Sequence, residues 1–125
     1  MCIIVNCIRY RDVYPYDHSR VPLATVPATD YINASLVSVE AVGRSYILTQ
    51  GPLAATTPHF WSMVWEQGCR AIIMLNRVIE KSTPKCHQYW PADTDTEAMK
   101  FEEAGLEVEN VGLTPGQHYN ISTLR

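Results

Sequence analysis

The sequence lacks paired cysteine motifs, a basic excess, a long apolar run and a glycine-rich phosphate loop, and each absence removes a class of function. Its four cysteines, Cys2, Cys7, Cys69 and Cys86, stand at irregular intervals. That spacing does not read as a disulfide framework and fits a reducing compartment. Cys86-His87 is adjacent rather than spaced, and neither C-x-x-C nor H-x-x-x-H occurs, so no metal site is expected. The net charge of −3 leaves no footprint for nucleic acid and no polybasic membrane patch. Met1 to Cys7 is apolar but too short for a signal core or a membrane span. Without a glycine-rich loop of either common type, no nucleotide cofactor is expected. No nucleophile elbow appears; residue order alone does not decide on a serine triad. Asn120-Ile121-Ser122 fits a glycosylation acceptor pattern, which has no meaning inside a cell.

What is present suits one globular domain. The 125 residues are 46% hydrophobic and 18% charged, enough to bury a core and too apolar for disorder. Residues 14 to 30 hold three prolines among polar residues and predict an extended surface connection. Tyr31 to Val39 and Arg44 to Thr49 predict two strands around a turn at Ala41-Val42-Gly43. Residues 57 to 67 predict a helix with Thr57 as N-cap and Pro58 in its first turn. Phe60, Trp61, Val64 and Trp65 would form its apolar face. Ala71 to Leu75 is an unbroken apolar run, suited to a strand buried on both faces. Phe101 to Val111 predicts one more strand, and Gln117 to Leu124 begins another with nothing after it to pair with. The order places the chain in the α/β or α+β class. A strand buried on both faces needs neighbours that this chain supplies sparsely.

The densest cluster of chemistry is Arg9-Tyr10-Arg11-Asp12-Val13. A tyrosine can stack on an aryl ring, an aspartate can accept peptide N–H groups, and an arginine can attract acidic residues. The same composition describes a solvated loop with one half-buried tyrosine, and physics alone leaves both readings open.

The motifs that follow sharpen the choice. In order come Asp30-Tyr31-Ile32-Asn33-Ala34-Ser35-Leu36, Tyr46-Ile47-Leu48-Thr49-Gln50-Gly51-Pro52 and Phe60-Trp61-Ser62-Met63-Val64-Trp65. Asn76 to Lys81 and Lys85 to Pro91 complete the series. Together with the first cluster they resemble the front part of the non-receptor protein tyrosine phosphatase domain, over residues 9–125. Asp17-His18-Ser19-Arg20 and Arg44-Ser45 resemble its small intracellular branch.

The resemblance implies an incomplete tyrosine-phosphatase-type fold, with a twisted mixed sheet and a flanking helix. It implies phosphotyrosine proteins or peptides as partners and a cytoplasmic location, with the nucleus and the endoplasmic reticulum surface as alternatives. Tyr10 would wall the phosphotyrosine cleft with Val13 beside it, Asp12 would orient the substrate backbone, and Arg11 would tune preference for acidic peptides. Glu80 would hold a phosphate-binding arginine, and Lys85 would sit at the rim. Asn33 and Gln50 read as scaffold, Phe60, Trp61 and Trp65 as core, and Cys86 as a buried thiol.

Two departures stand out. The family's hydrolysis runs through a cysteinyl-phosphate formed in a His-Cys-x5-Arg loop, and no cysteine here has an arginine at that spacing. The acid loop is Trp-Pro-Asp in the family, whereas Trp90-Pro91-Ala92-Asp93 carries an inserted alanine and belongs to the preceding motif. No catalytic residue is therefore assigned, and this chain is expected to be inactive by itself, with a non-catalytic phosphotyrosine-peptide-binding fragment or a non-functional remnant as the alternatives. Residues 1–8 do not follow the family pattern and read as an abnormal start.

Overall fold

A computed structural model describes residues 1–6, 13–27 and 29–125. In chain order the strands and helix are β1 (Cys2–Asn6), β2 (Ala34–Val39), β3 (Arg44–Gln50), α1 (Thr57–Glu66) and β4 (Ala71–Met74). They continue as β5 (Ile79–Glu80), β6 (Thr83–Pro84), β7 (Met99–Phe101), β8 (Leu106–Val108), β9 (Asn110–Pro115) and β10 (Asn120–Leu124). The main sheet has the order β2-β3-β1-β4, and three antiparallel pairs, β5–β6, β7–β8 and β9–β10, stand outside it. The expected mixed α/β architecture with a flanking helix is present.

The residues that open the chain supply the centre of this sheet. β1 runs parallel to β3, with Ile3 beside Ile47 and Val5 beside Thr49, and parallel to β4, with Ile3 beside Ile72. Alternation along a strand sends every second side chain to one face. Ile3 and Val5 are 0% exposed on the face that packs with Ile47, Phe60 and Met63. This short apolar segment is thus an inner strand of the sheet.

The opposite face is open. Leu48 and Ile73, in register with Ile4, are 44% and 45% exposed. This corrects the expectation for Ala71 to Leu75. Among the described residues β4 pairs on one side only, and it buries one face in part, leaving Ala71, Ile73 and Leu75 exposed.

The helix begins at Thr57, so its N-cap is Thr56, one residue earlier than predicted. The Thr57 hydroxyl instead donates to the Leu53 carbonyl at 2.8 Å. Phe60 and Trp61 are buried as the apolar pattern requires and Val64 is half-buried, whereas Met63, outside that pattern, is fully buried and Trp65 is 75% exposed. Five residues from Phe60 is a rotation of about 140° at 3.6 residues per turn, which carries Trp65 off the sheet-facing side.

The proline-rich connection is less superficial than its composition suggests. Val21 and Leu23 are buried in the core. The Val21 N–H donates to the Ala34 carbonyl and the Leu23 N–H to that of Asp30, at 3.0 and 2.9 Å. Arg20 pairs with Asp30 at 2.9 Å, and the Glu66 carboxylate accepts the N–H groups of Ala24 and Thr25 at 2.9 and 2.8 Å.

The stretch 101–111 is three strand pieces rather than one. A 3-10 turn over Glu102–Ala104, closed by Gly105 at φ 61°, folds β7 onto β8. The β2–β3 link repeats this device with Glu40–Val42 and Gly43 at φ 60°. Glycine suits both ends because the left-handed region costs it nothing. The final strand is paired after all: β10 lies antiparallel to β9, and Arg125 and Glu109 exchange backbone hydrogen bonds at 2.9 and 3.0 Å.

Candidate functional site

The three parallel strands β3, β1 and β4 end on the same side of the sheet. In open α/β sheets ligands gather outside the carboxyl ends of such strands. The residues there are Gln50-Gly51-Pro52 after β3 and Leu75-Asn76 after β4, with the Leu75 N–H donating to the Val5 carbonyl at 3.0 Å.

One flank is set by Asn33. Its side-chain amide donates to the Val13 carbonyl at 2.9 Å and reaches Gln50 Oε1 at 3.5 Å. The Thr49 hydroxyl fixes the Asn33 carbonyl at 2.9 Å. The scaffold role expected of Asn33 and Gln50 is therefore specific: they hold the exit of the 9–13 cluster against the end of β3. Val13 itself is 52% exposed, so its backbone rather than its side chain is anchored. Tyr10, Arg11 and Asp12 lie outside the described residues. A shallow cleft opens beside this flank between Asn33, Gln50 and His59.

The other flank is the β5–β6 hairpin. Lys81 and Ser82 both have positive φ, 48° and 60°, the geometry of a two-residue hairpin turn. Glu80 Oε1 accepts the Arg77 N–H at 3.0 Å; among the described residues its other oxygen accepts no hydrogen bond. The Lys85 N–H donates to the Val78 carbonyl at 2.7 Å, and the His87 N–H donates to that of Pro52 at 2.8 Å. The second bond ties this flank to the end of β3.

Cys86 lies between the flanks and is buried. Gly51 packs directly on it: an added Cβ would stand 2.5 Å from the Cys86 Cβ. The Asn76 amide donates to the Arg77 carbonyl at 2.9 Å and approaches the Cys86 sulfur at 3.7 Å. Asn76 Oδ1 is buried and has no partner among the described residues. Neither the contact between Gly51 and Cys86 nor that between Asn76 and Cys86 was legible from residue order; a glycine and a proline directly after a strand were the only local hint.

Asp93 is committed elsewhere. Its Oδ1 accepts the Thr96 hydroxyl at 2.7 Å and the N–H groups of Thr96 and Asp95 at 2.8 and 3.1 Å. The Thr96 hydroxyl leads in lowering its pKa, the opposite of what a general acid near neutral pH requires. Among the described residues no group of His, Cys, Asp and Glu is placed to hold a metal.

The order of these motifs along one sheet edge agrees with sequence comparison. The protein-tyrosine phosphatase family profile matches residues 5–125. The chain belongs to the protein-tyrosine phosphatase family. Human tyrosine-protein phosphatase non-receptor type 2 is 53% identical over 120 residues, covering 96% of this chain and 28% of that protein. The rat protein of the same name is 54% identical over 120 residues, again 96% and 28%. Drosophila melanogaster tyrosine-protein phosphatase non-receptor type 61F is 53% identical over 112 residues, 89% of this chain and 20% of that protein. The chain thus spans less than a third of the length of these phosphatases. Among the described residues no helix is long and apolar enough to cross a membrane.

Proposed function

We infer that residues 1–125 form part of one phosphatase domain, carrying the phosphotyrosine-reading edge without the reacting centre. The observation that carries this is the family match combined with the spacing of the cysteines. Residues six positions after Cys2, Cys7, Cys69 and Cys86 are Ile8, Val13, Leu75 and Ala92, so no thiolate is followed by the arginine that would clamp a phosphoryl group. Cys86 is buried against Gly51.

In this reading Tyr10 stacks on the phosphotyrosine ring with Val13 beside it, Asp12 takes the peptide N–H groups, and Arg11 favours acidic neighbours. The bond from Asn33 to the Val13 carbonyl supports a defined exit for that cluster. Glu80 offers its second oxygen to an arginine supplied from outside these residues, and Lys85 stands at the rim. The partner is a phosphotyrosine protein or peptide, met in the cytoplasm. Without the main anion site, affinity is weak and turnover absent. A calorimetric titration with paired phosphorylated and plain tyrosine peptides tests the reading. It predicts a measurable preference for the phosphorylated peptide that Tyr10→Ala and Asp12→Ala remove; equal binding of both peptides contradicts it.

A further inference from the structure

We propose that Thr83 is a phosphorylation site, modified by a proline-directed serine/threonine kinase on the exposed β5–β6 hairpin. The sequence holds three Thr-Pro pairs, Thr57-Pro58, Thr83-Pro84 and Thr114-Pro115, and no Ser-Pro pair. The fold separates them. Thr57 is buried in the first turn of α1, with its hydroxyl donated to the Leu53 carbonyl, so no kinase reaches it. Thr114 is exposed but lies inside β9, whose ladder with β10 runs through five pairs. Thr83 and Pro84 are both exposed, and their strand is paired at only two positions, Thr83 with Glu80 and Pro84 with Ile79. Among the described residues the Thr83 hydroxyl makes no hydrogen bond.

A kinase takes its acceptor extended and peeled from its partner strand, and a short ladder opens more readily than a long one. A hairpin of two pairs is marginal by itself, and this one turns through Lys81 and Ser82 in the strained left-handed region. Pro84 has no N–H, so the residue after the acceptor gives up no donated backbone bond when the strand is peeled away. The surroundings also suit the product. In the transfer the Thr83 Oγ bonds to the γ-phosphorus of ATP. The bond from that phosphorus to the bridging oxygen breaks, ADP leaves, and the hydroxyl proton goes to the kinase's base. The new group carries a charge of about −1.5 to −2. Residues 77–85 hold Arg77, Lys81 and Lys85 against Glu80 alone. Lys85, two positions on, falls on the same side of the extended chain as Thr83. Phosphorylation therefore turns a basic hairpin close to neutral. Residues 111–117 around Thr114 hold no charge to receive a phosphate.

The test incubates the purified full chain with MgATP and, in turn, an active cyclin-dependent kinase and an active mitogen-activated protein kinase, well below the melting temperature. Intact mass counts the phosphates and peptide fragmentation places them. The expected result with at least one of the kinases is a single phosphate per chain, on Thr83. Thr83→Ala should lose it and Thr83→Ser should regain it. Pro84→Ala should lose most of it while keeping the acceptor hydroxyl, and Thr114→Ala should leave it unchanged. The replaced side chains are exposed, so each variant should keep a cooperative melt, which separates loss of the acceptor from loss of the fold. No incorporation with either kinase, phosphate on Thr114 or Thr57 in place of Thr83, or undiminished incorporation in Pro84→Ala would each overturn the proposal. None of these readouts depends on phosphotyrosine recognition.

Discussion

Gly51 and Cys86 show how much a single contact decides at the sheet edge. No side chain fits between them, so Gly51→Ala should destabilise by about 1–3 kcal/mol through overpacking, measured by urea denaturation. A shift in midpoint below a few tenths of a molar would show the contact to be slack. Glu66 makes a second residue-scale case. Burial raises its pKa, but hydrogen bonds from Thr25 and Ala24 outweigh that and hold it below the ordinary value of 4.5. Asp30 is likewise held below its ordinary 3.8, chiefly by hydrogen bonding to Arg20. Such carboxylates bind fewer protons folded than unfolded, so their stabilisation is present above the ordinary values and is lost as pH falls through the lowered ones. The melting temperature should fall as pH drops below about 4.5, and Glu66→Gln should flatten part of that fall. An acid limb unchanged by the substitution would remove Glu66 as a cause.

Elements follow their residues, though not always as pattern alone suggests. In β1, Ile3 is fully buried in the core, and Ile3→Ala should cost about 2–5 kcal/mol in equilibrium unfolding. The β5–β6 turn places Lys81 and Ser82 in the left-handed region, where a side chain costs about 1 kcal/mol or more. Ser82→Gly should therefore stabilise the chain by about 1 kcal/mol, raising the melting temperature; a fall would mean the Ser82 side chain holds something. The β2–β3 hairpin was legible because a glycine closes a turn between two alternating runs. The helix was legible because Phe60, Trp61 and Val64 share a side; Trp65 was misassigned to that face and the buried Met63 was missed. The centrality of β1 was not legible, since a five-residue apolar run carries no mark of which strands will flank it. The burial of Val21 and Leu23 was hidden by the prolines around them, because backbone pairing to Ala34 and Asp30 depends on a partner distant in sequence. At the candidate site, Asn33 and Gln50 were identified as scaffold by residue type. The Asn76 and Gly51 contacts were not, because both depend on where residues 85–88 return.

At the scale of the whole molecule, the sheet is finished on one face and open on the other. Leu48, Ile73 and Leu75 stay exposed on strands whose composition suits two-sided burial. The helix-facing side holds the core, while the carboxyl edge collects the motifs that mark the family. The proposed recognition residues, scaffold and supporting hairpin lie in this sequence, and none of its cysteines has an arginine six positions further on. The most direct measurement is turnover of an aryl phosphate by the purified chain, with vanadate as inhibitor and Cys86→Ser as control. The account predicts no hydrolysis above the buffer rate and no difference between the two proteins. Vanadate-sensitive turnover that disappears with Cys86→Ser would contradict it.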